Sequence, residues 1–451
     1  MKGINFQKHF PKTFALAYPV MLSQLGQVLV GVADSMMVGR LGAVPLAAAS
    51  LGNSIFTVVM MFGIGVSMAI TPLVAAADGE GKHHRIARIF RHGLVINTFA
   101  GLILFLLVLM ASPVLYHLNQ PEEVVALAIP YLGIITFSLL PFMVFQTFRQ
   151  LAEGLSQTRQ AMLVVIVCNV VNVFLNWLLI YGNLGLPALG VLGAGWATFI
   201  SRVLMAIVMI AYVWTSNRYK RYKLSFDIKK LSFPMITKMV GIGVPTGLQF
   251  VFETGAFSTA AIMMGWIGVN ALAAHQIAIN LAAISYMMAS GLAAAAMVRV
   301  GNQLGRNDIK TLREIGFTSF SMVTIFMLAV AVILISLRNY LPLLYIDDQS
   351  VIQLTASLLI IAGLFQLSDG IQVVGLGALR GMADVKVPTI ITLIAYWVIG
   401  LPLGYVLAFT FGWNEQGVWY GLLVGLTCAA ALLVLRFNRL SKRRLLKATA
   451  V

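Results

Sequence analysis

Charge is scarce in this chain of 451 residues: only 10% of them are Asp, Glu, Lys or Arg, while 60% are hydrophobic. Soluble domains carry about 25% charged residues, so the mean hydropathy of +0.91 excludes an ordinary soluble fold. The same numbers exclude a disordered chain and a coiled coil. Cysteine is almost absent. Cys168 and Cys428 are the only two, both in apolar runs, and one possible pair cannot build a disulfide framework. Several chemical signatures are missing as well. There is no G-x-x-x-x-G-K-[ST] loop for ATP, no H-E-x-x-H zinc site and no G-x-S-x-G nucleophile elbow. An enzyme and a bound cofactor are therefore not expected, and any work must draw on an ion gradient or the membrane potential.

What is present is apolar sequence in long runs. A membrane-spanning helix needs about 20 apolar residues. Runs of that kind lie near 13–37, 46–75, 93–113, 124–148, 160–182, 190–214, 237–264, 271–298, 315–337, 350–376, 387–411 and 416–437. All are read as helices, because lipid cannot satisfy an open strand edge. The expected fold is an all-α membrane protein of twelve transmembrane helices in two six-helix bundles, residues 1–220 and 221–451. The start, MKGINFQKHFPKTFALAYPVML, has a basic end and an apolar run, but the run continues past Asp34, so it reads as a retained first span.

The net charge is +16, from 31 basic and 15 acidic residues. Laid onto the spans, almost every Lys and Arg falls on one side. Lys2, Lys8 and Lys12 precede span one, and Lys82 to Arg91 follow span two. Arg149 and Arg159 flank the next loop on that side, and Arg218 to Lys238 fill the central link. Arg299 to Arg313, Arg380 with Lys386, and Arg436 to Lys447 complete the set. Arg40 and Arg338 lie opposite, and Arg202 falls inside span six, where it must pair or snorkel. The positive-inside rule then puts both termini in the cytoplasm and the protein in the cytoplasmic (inner) membrane. This distribution accounts for the basic excess without nucleic acid. The expected surroundings are a lipid bilayer and a monomeric protein.

The sequence repeats at a shift of 226. Pro19, Met37, Gly39, Gly42, Leu46, Ala47, Ala48, Gly65 and Gly79 correspond to Pro245, Met263, Gly265, Gly268, Leu272, Ala273, Ala274, Gly291 and Gly305. Six spans per half return the chain to its starting side, so the repeat is parallel, with its pseudo-twofold along the membrane normal. Such paired bundles suit alternating access across a cleft, although channels duplicate too. Pro19 and Pro245 lie inside the first span of each half, as hinges or static kinks. Gly417, Gly421 and Gly425 mark a close helix contact.

Most acids fall in loops or at helix ends, among them Glu153, Asp227 and Asp348. Asp34, Glu253 and Asp369 do not. An ionised carboxylate at mid-bilayer costs about 2.5–3.5 kcal/mol on the gentlest scale. These acids must face water, hold a cation or carry a proton. The repeat does not preserve them: Asp34 aligns with Ala260, Glu253 with Gln27 and Asp369 with Phe142. Amides accompany them. Asn169, Asn172 and Asn176 share span five, Thr198 is on span six, and Gln249 and Asn280 are in the second half. Hard oxygen ligands beside a carboxylate suit Na+ or a water-linked proton; the rival reading is polar glue between helices. His275 can carry protons, but helix packing is the preferred reading.

The stretches GVADSMMVGRLGAVPLAAASLG, GVPTGLQFVFETGAFS, ALAAHQIAIN and LFQLSDGIQVVGLGALRG together resemble the multidrug and toxic compound extrusion (MATE) family, in its NorM-like branch. The resemblance spans nearly the whole chain. It implies a secondary exporter that exchanges Na+ or H+ for amphipathic cationic drugs or dyes. It assigns the coupling cation of the second half to Glu253 and Asp369, and that of the first half to Asp34 with Asn172, Asn176 and Thr198. One departure stands out: Phe365 occupies a position where NorM-like relatives can carry a Tyr, four residues before the span-ten Asp. Phe142, Phe145, Phe252, Met263 and Met264 are expected to supply adaptable apolar walls for a substrate cavity. The rival functions are a lipid-linked-oligosaccharide flippase of the same broad fold, which would want a cationic cavity, and a passive channel.

Overall fold

The computed structural model describes residues 6–117, 121–224 and 230–449; Lys2, Asp227 and Lys229 lie outside them. Among the described residues the chain forms twelve helices long and apolar enough to cross a membrane. In order they are α1 (Phe6–Gly39), α2 (Ala43–Gly79), α3 (His83–His117), α4 (Glu122–Gly154), α5 (Thr158–Tyr181) and α6 (Val191–Thr215). The second half follows with α7 (Phe233–Ile267), α8 (Val269–Gly305), α9 (Ile309–Ser336), α10 (Gln349–Gly381), α11 (Lys386–Thr410) and α12 (Asn414–Lys447). The apolar runs located every one of them, because a helix satisfies its own backbone and needs only apolar side chains to sit in lipid. Most of their ends extend beyond the apolar runs, since helical backbone continues into the polar flanks. No strand occurs among the described residues.

Several spans are locally irregular. Helix α4 is interrupted at Ser138, whose N–H turns back to the Ile135 carbonyl at 3.0 Å. Helix α11 widens into π-helical turns at Ile394–Gly400 and Val406–Thr410, on either side of Pro402. Such turns let a proline sit within a span without losing the helix. The turns into α2 and α8 are made by Gly42 and Gly268, a repeat-matched pair with φ +122° and +159°. Without a Cβ, glycine adopts this backbone at no steric cost.

The chain divides into two compact units, one of residues 22–247 and the other of residues 1–21 with 248–451. The sequence-based halves, 1–220 and 221–451, differ from these units at the first helix of each half. The start of α1 packs with the second half of the chain, and the start of α7 with the first. Small residues make this possible. A Cβ on Gly291 of α8 would stand 2.9 Å from the Met21 nitrogen and 3.0 Å from the Ala17 carbonyl, both on α1. A Cβ on Gly65 of α2 would stand 2.4 Å from the Gly247 Cα on α7. Gly65 and Gly291 are themselves repeat partners, so the same docking notch is used twice. Polar contacts fix the two arms. His9 Nε2 lies 3.1 Å from Glu314 Oε2, and Arg299 donates to the His9 carbonyl at 2.9 Å. In the other unit the Ser232 N–H, just before α7, donates to His92 Nε2 at 2.9 Å. In both first helices the division falls two residues beyond the proline, Pro19 or Pro245.

Each unit has its own apolar interior. In residues 22–247 it gathers Phe56, Leu104, Tyr131 and Leu132. In the other unit one cluster centres on Phe320, Leu379 and Phe437, and a second on Phe365, Tyr396 and Trp419. Helices α11 and α12 meet through Gly400, Gly404, Gly417, Gly421 and Gly425, as the spacing of the last three predicts. Cys168 and Cys428 are both free thiols.

Candidate functional site: two buried acid networks

In the unit of residues 22–247, the network begins on α1. Asp34 accepts a hydrogen bond from Asn176 Nδ2 of α5, and the same amide donates to Asn172 Oδ1 at 3.3 Å. Asn172 and Asn176 are one helical turn apart and both are buried, so α5 presents them on one face. Thr198 is half-buried on α6, one turn before Arg202.

Arg202 is more embedded than its sequence position suggests. Its guanidinium lies 4.8 Å from the centre of the Phe56 ring and 5.0 Å from that of Phe142. Nη1 donates to Ser138 Oγ at 2.7 Å, at the interruption of α4. Arg202 also stands within electrostatic reach of Asp34. It pairs within the bundle and does not snorkel out of it.

In the other unit, Glu253 on α7 and Asp369 on α10 are 5% and 3% exposed. Asp369 lies close enough to Glu253 to feel its charge. Glu253 Oε2 and Asp369 Oδ1 have no hydrogen-bond partner among the described residues, and neither have the amide nitrogens of Gln249 and Gln372. Around them stand two phenols. The Tyr286 hydroxyl of α8 stands close to Glu253. The Tyr396 hydroxyl of α11 donates to Gln372 Oε1 at 2.8 Å. Buried polar atoms are almost always partnered in folded proteins, so a cluster of bare acceptors and donors marks a place for a ligand or water. Two carboxyl oxygens fit a cation, and the amide N–H groups fit water bound to it. Among the described residues no group of three or more His, Cys, Asp and Glu side chains forms. Any cation here would therefore complete its shell with neutral oxygens.

The structure relocates several residues. Arg380, expected in a loop beside Lys386, is drawn into the Glu253 site. It is 8% exposed, donates from Nη2 to Gln249 Oε1 at 3.0 Å, and lies 5.1 Å from the centre of the Phe250 ring. Arg149, also expected at a loop, is buried and donates from Nε to Glu153 Oε1 at 2.7 Å. Of the expected cavity walls, Phe145, Met263 and Met264 are 0%, 3% and 0% exposed. They pack inside the helices, because large apolar groups gain most where they touch protein on all sides. Phe142 lies under Arg202, and Phe252 is half-buried, its carbonyl accepting from Trp397 Nε1 at 3.0 Å. Phe365 packs edge-on between Phe257 and Trp419, at 6.3 and 5.8 Å. The phenol nearest in kind to that missing Tyr is Tyr286, which stands close to Glu253. His275 is buried edge-on against Trp419 at 5.6 Å, in keeping with a packing role. Asn280 is exposed and accepts from Gln276 at 3.2 Å, outside both networks.

Tyr286, Tyr396 and Gln372 were not marked by the sequence. Aromatic and amide residues in apolar runs have the same pattern whether they face lipid, core or site. Arg380 was not marked either, because Gly375, Gly377 and Gly381 made the end of its span hard to place.

Twelve apolar helices in two units, each with an acid among its apolar spans, define a multi-pass membrane protein. The chain belongs to the MatE family, whose model matches it twice, over residues 19–178 and 245–406. The two matches begin at Pro19 and Pro245, the register in which the sequence repeats. Among curated relatives, the probable multidrug resistance protein NorM of Agrobacterium fabrum is 35% identical over 442 residues, 97% of this chain and 95% of that protein. The multidrug resistance protein MdtK of Yersinia pseudotuberculosis is 34% identical over 434 residues, 95% of each. Among solved structures, a MATE protein in a bent conformation matches with a TM-score of 0.90 at 20% identity, covering 100% of this chain and 99% of that one. The eukaryotic MATE transporter AtDTX14 matches at 0.88 and 21%, covering 98% and 99%.

Proposed function

We propose that the protein is a secondary active multidrug efflux transporter of the cytoplasmic membrane, with both termini in the cytoplasm. It exchanges Na+ or H+ for amphipathic cationic drugs or dyes. The observation that carries this reading is the buried pair Glu253 and Asp369, each with a carboxyl oxygen lacking a partner inside apolar helices. A bare carboxylate is too costly there to persist, so the pair must exchange one positive species for another. The multidrug names of the NorM and MdtK relatives support efflux as the direction.

The roles follow from the geometry. Glu253 and Asp369 hold the coupling cation or proton, and Tyr286 adds a hydroxyl that can donate to a carboxylate or turn its oxygen to Na+. Asp34, oriented by Asn176, forms the polar centre of the other unit, with Asn172 and Thr198 at its margin. Ion and drug need only disfavour each other's binding state; a coupling of about 1.4 kcal/mol is tenfold in affinity. A flippase for anionic lipid-linked sugars fits less well. Arg202 and Arg380 each have an acid within reach, and neither network carries a net positive charge.

The test is transport by the purified protein in liposomes, with Na+ and pH gradients imposed separately and ethidium as the cargo. Gradient-driven ethidium flux that falls at least tenfold in Glu253→Gln and Asp369→Asn is the expected result. Flux in both variants equal to wild type, at equal protein levels, would remove the assignment. Single-channel currents would support a passive pore instead.

A further inference from the structure

We propose that Arg380 is a built-in counter-cation which limits the Glu253–Asp369 site to one exchangeable positive charge. This rests on the cation-exchange reading above and goes beyond it to the stoichiometry.

Arg380 lies on α10, three helical turns past Asp369, yet its side chain belongs to the wall formed by α7. Its Nη2 donates to Gln249 Oε1 at 3.0 Å, and the guanidinium covers the Phe250 ring at 5.1 Å. Gln249 is one turn before Glu253 on the same helix, so this anchor fixes the guanidinium on the helix that carries the carboxylate. Arg380 and Glu253 stand within electrostatic reach of each other, and Glu253 and Asp369 likewise. A guanidinium keeps its proton under all working conditions, so its charge cannot be the one exchanged.

The charges then add simply. Two carboxylates and one guanidinium leave the site at minus one. A buried site of low polarity favours net neutrality, which admits one proton, one monovalent metal ion or one monocationic drug. In the other unit Asp34 already has Arg202 within reach, so that network is neutral without a guest. One cation therefore enters for each singly charged drug that leaves. The exchange moves no net charge, and the membrane potential does not drive it. Without Arg380 the site would stand at minus two and admit a second cation.

The experiment is a null-point measurement with the full-length protein in liposomes. Tetraphenylphosphonium is the cargo, and opposing Na+ or proton gradients are adjusted until its flux stops. The wild type is expected to balance at one cation per tetraphenylphosphonium and to ignore an imposed potential. Arg380→Gln should balance at two and become sensitive to potential, while Arg380→Lys, which keeps the charge, should return to one. A purely structural arginine would change the amount of active protein but not this ratio. A wild-type ratio of two or more would overturn the proposal, as would an unchanged ratio in Arg380→Gln. Should Arg380→Gln fail to fold, the wild-type ratio and its response to potential still decide. A wild type with no gradient-driven flux would defeat the transporter reading itself and this inference with it; flux at the wrong ratio would defeat only the inference.

Discussion

The guanidinium of Arg202 lies 5.0 Å from the centre of the Phe142 ring, with the Phe56 ring at 4.8 Å. A planar cation held between rings keeps its charge where a hydrated ammonium would not. Arg202→Lys is therefore expected to destabilise the purified protein by about 1–2 kcal/mol. Arg202→Met removes the positive charge within reach of Asp34 and should cost more stability than Arg202→Lys. Adding Asp34→Asn to Arg202→Met should recover part of that loss. Thermal unfolding of the wild type, Arg202→Met, Asp34→Asn and the double variant in detergent gives the double-mutant cycle, and strictly additive effects would show that the two charges do not interact.

Asn176 and Asn172 have unequal parts. Asn176 donates to the carboxylate of Asp34, whereas Asn172 only receives the second N–H of that amide, at 3.3 Å. Hydrogen bonds to charged groups contribute about 1.5–3 kcal/mol, and neutral ones about 1. Asn176→Ala should thus impair dye efflux more than Asn172→Ala, by roughly tenfold for a difference of 1.4 kcal/mol. Efflux rates measured at matched expression decide the order, and equal rates would speak against Asn176 as the residue that orients Asp34.

The contact between α11 and α12 gives a packing prediction. A Cβ on Gly421 would stand 2.3 Å from the Gly404 Cα and 2.6 Å from the Gly400 carbonyl, both rigid backbone. Gly421→Ala should destabilise the protein by about 1–3 kcal/mol through overpacking. Gly133→Ala makes the control, because no atom lies within 4 Å of where its Cβ would stand. That substitution should be neutral or slightly stabilising, since Ala favours helix over Gly by about 1 kcal/mol. Heating curves that fall together for both variants would contradict the close approach of these helices.

Of the fold, the span count was legible because each helix reports itself locally, as a run of apolar residues. The repeat was legible because Pro19, Gly42 and Gly65 recur in order at Pro245, Gly268 and Gly291. Their purposes were not. That Gly65 and Gly291 are notches for the first helix of the opposite half follows only from which helices meet. Of the candidate site, Asp34, Glu253 and Asp369 stood out because an acid in an apolar run has no neutral explanation. Arg380 did not, since a basic residue near the end of a span looks the same whether it points outward or folds back to Gln249. Phe145, Met263 and Met264 are buried in the structure, which the sequence did not show, because apolar character does not say which face of a helix it covers.

The sequence by itself determined the twelve helices, the doubling of the chain and the three submerged acids. Each is a one-dimensional signal, set by the free energy of placing a residue in lipid. Tertiary structure alone decided the partners: Asn176 for Asp34, Phe56 and Phe142 around Arg202, and Tyr286 and Arg380 beside Glu253. These groups come from helices far apart in the chain, and the rotation of each helix about its axis, fixed by packing, selects which side chains meet.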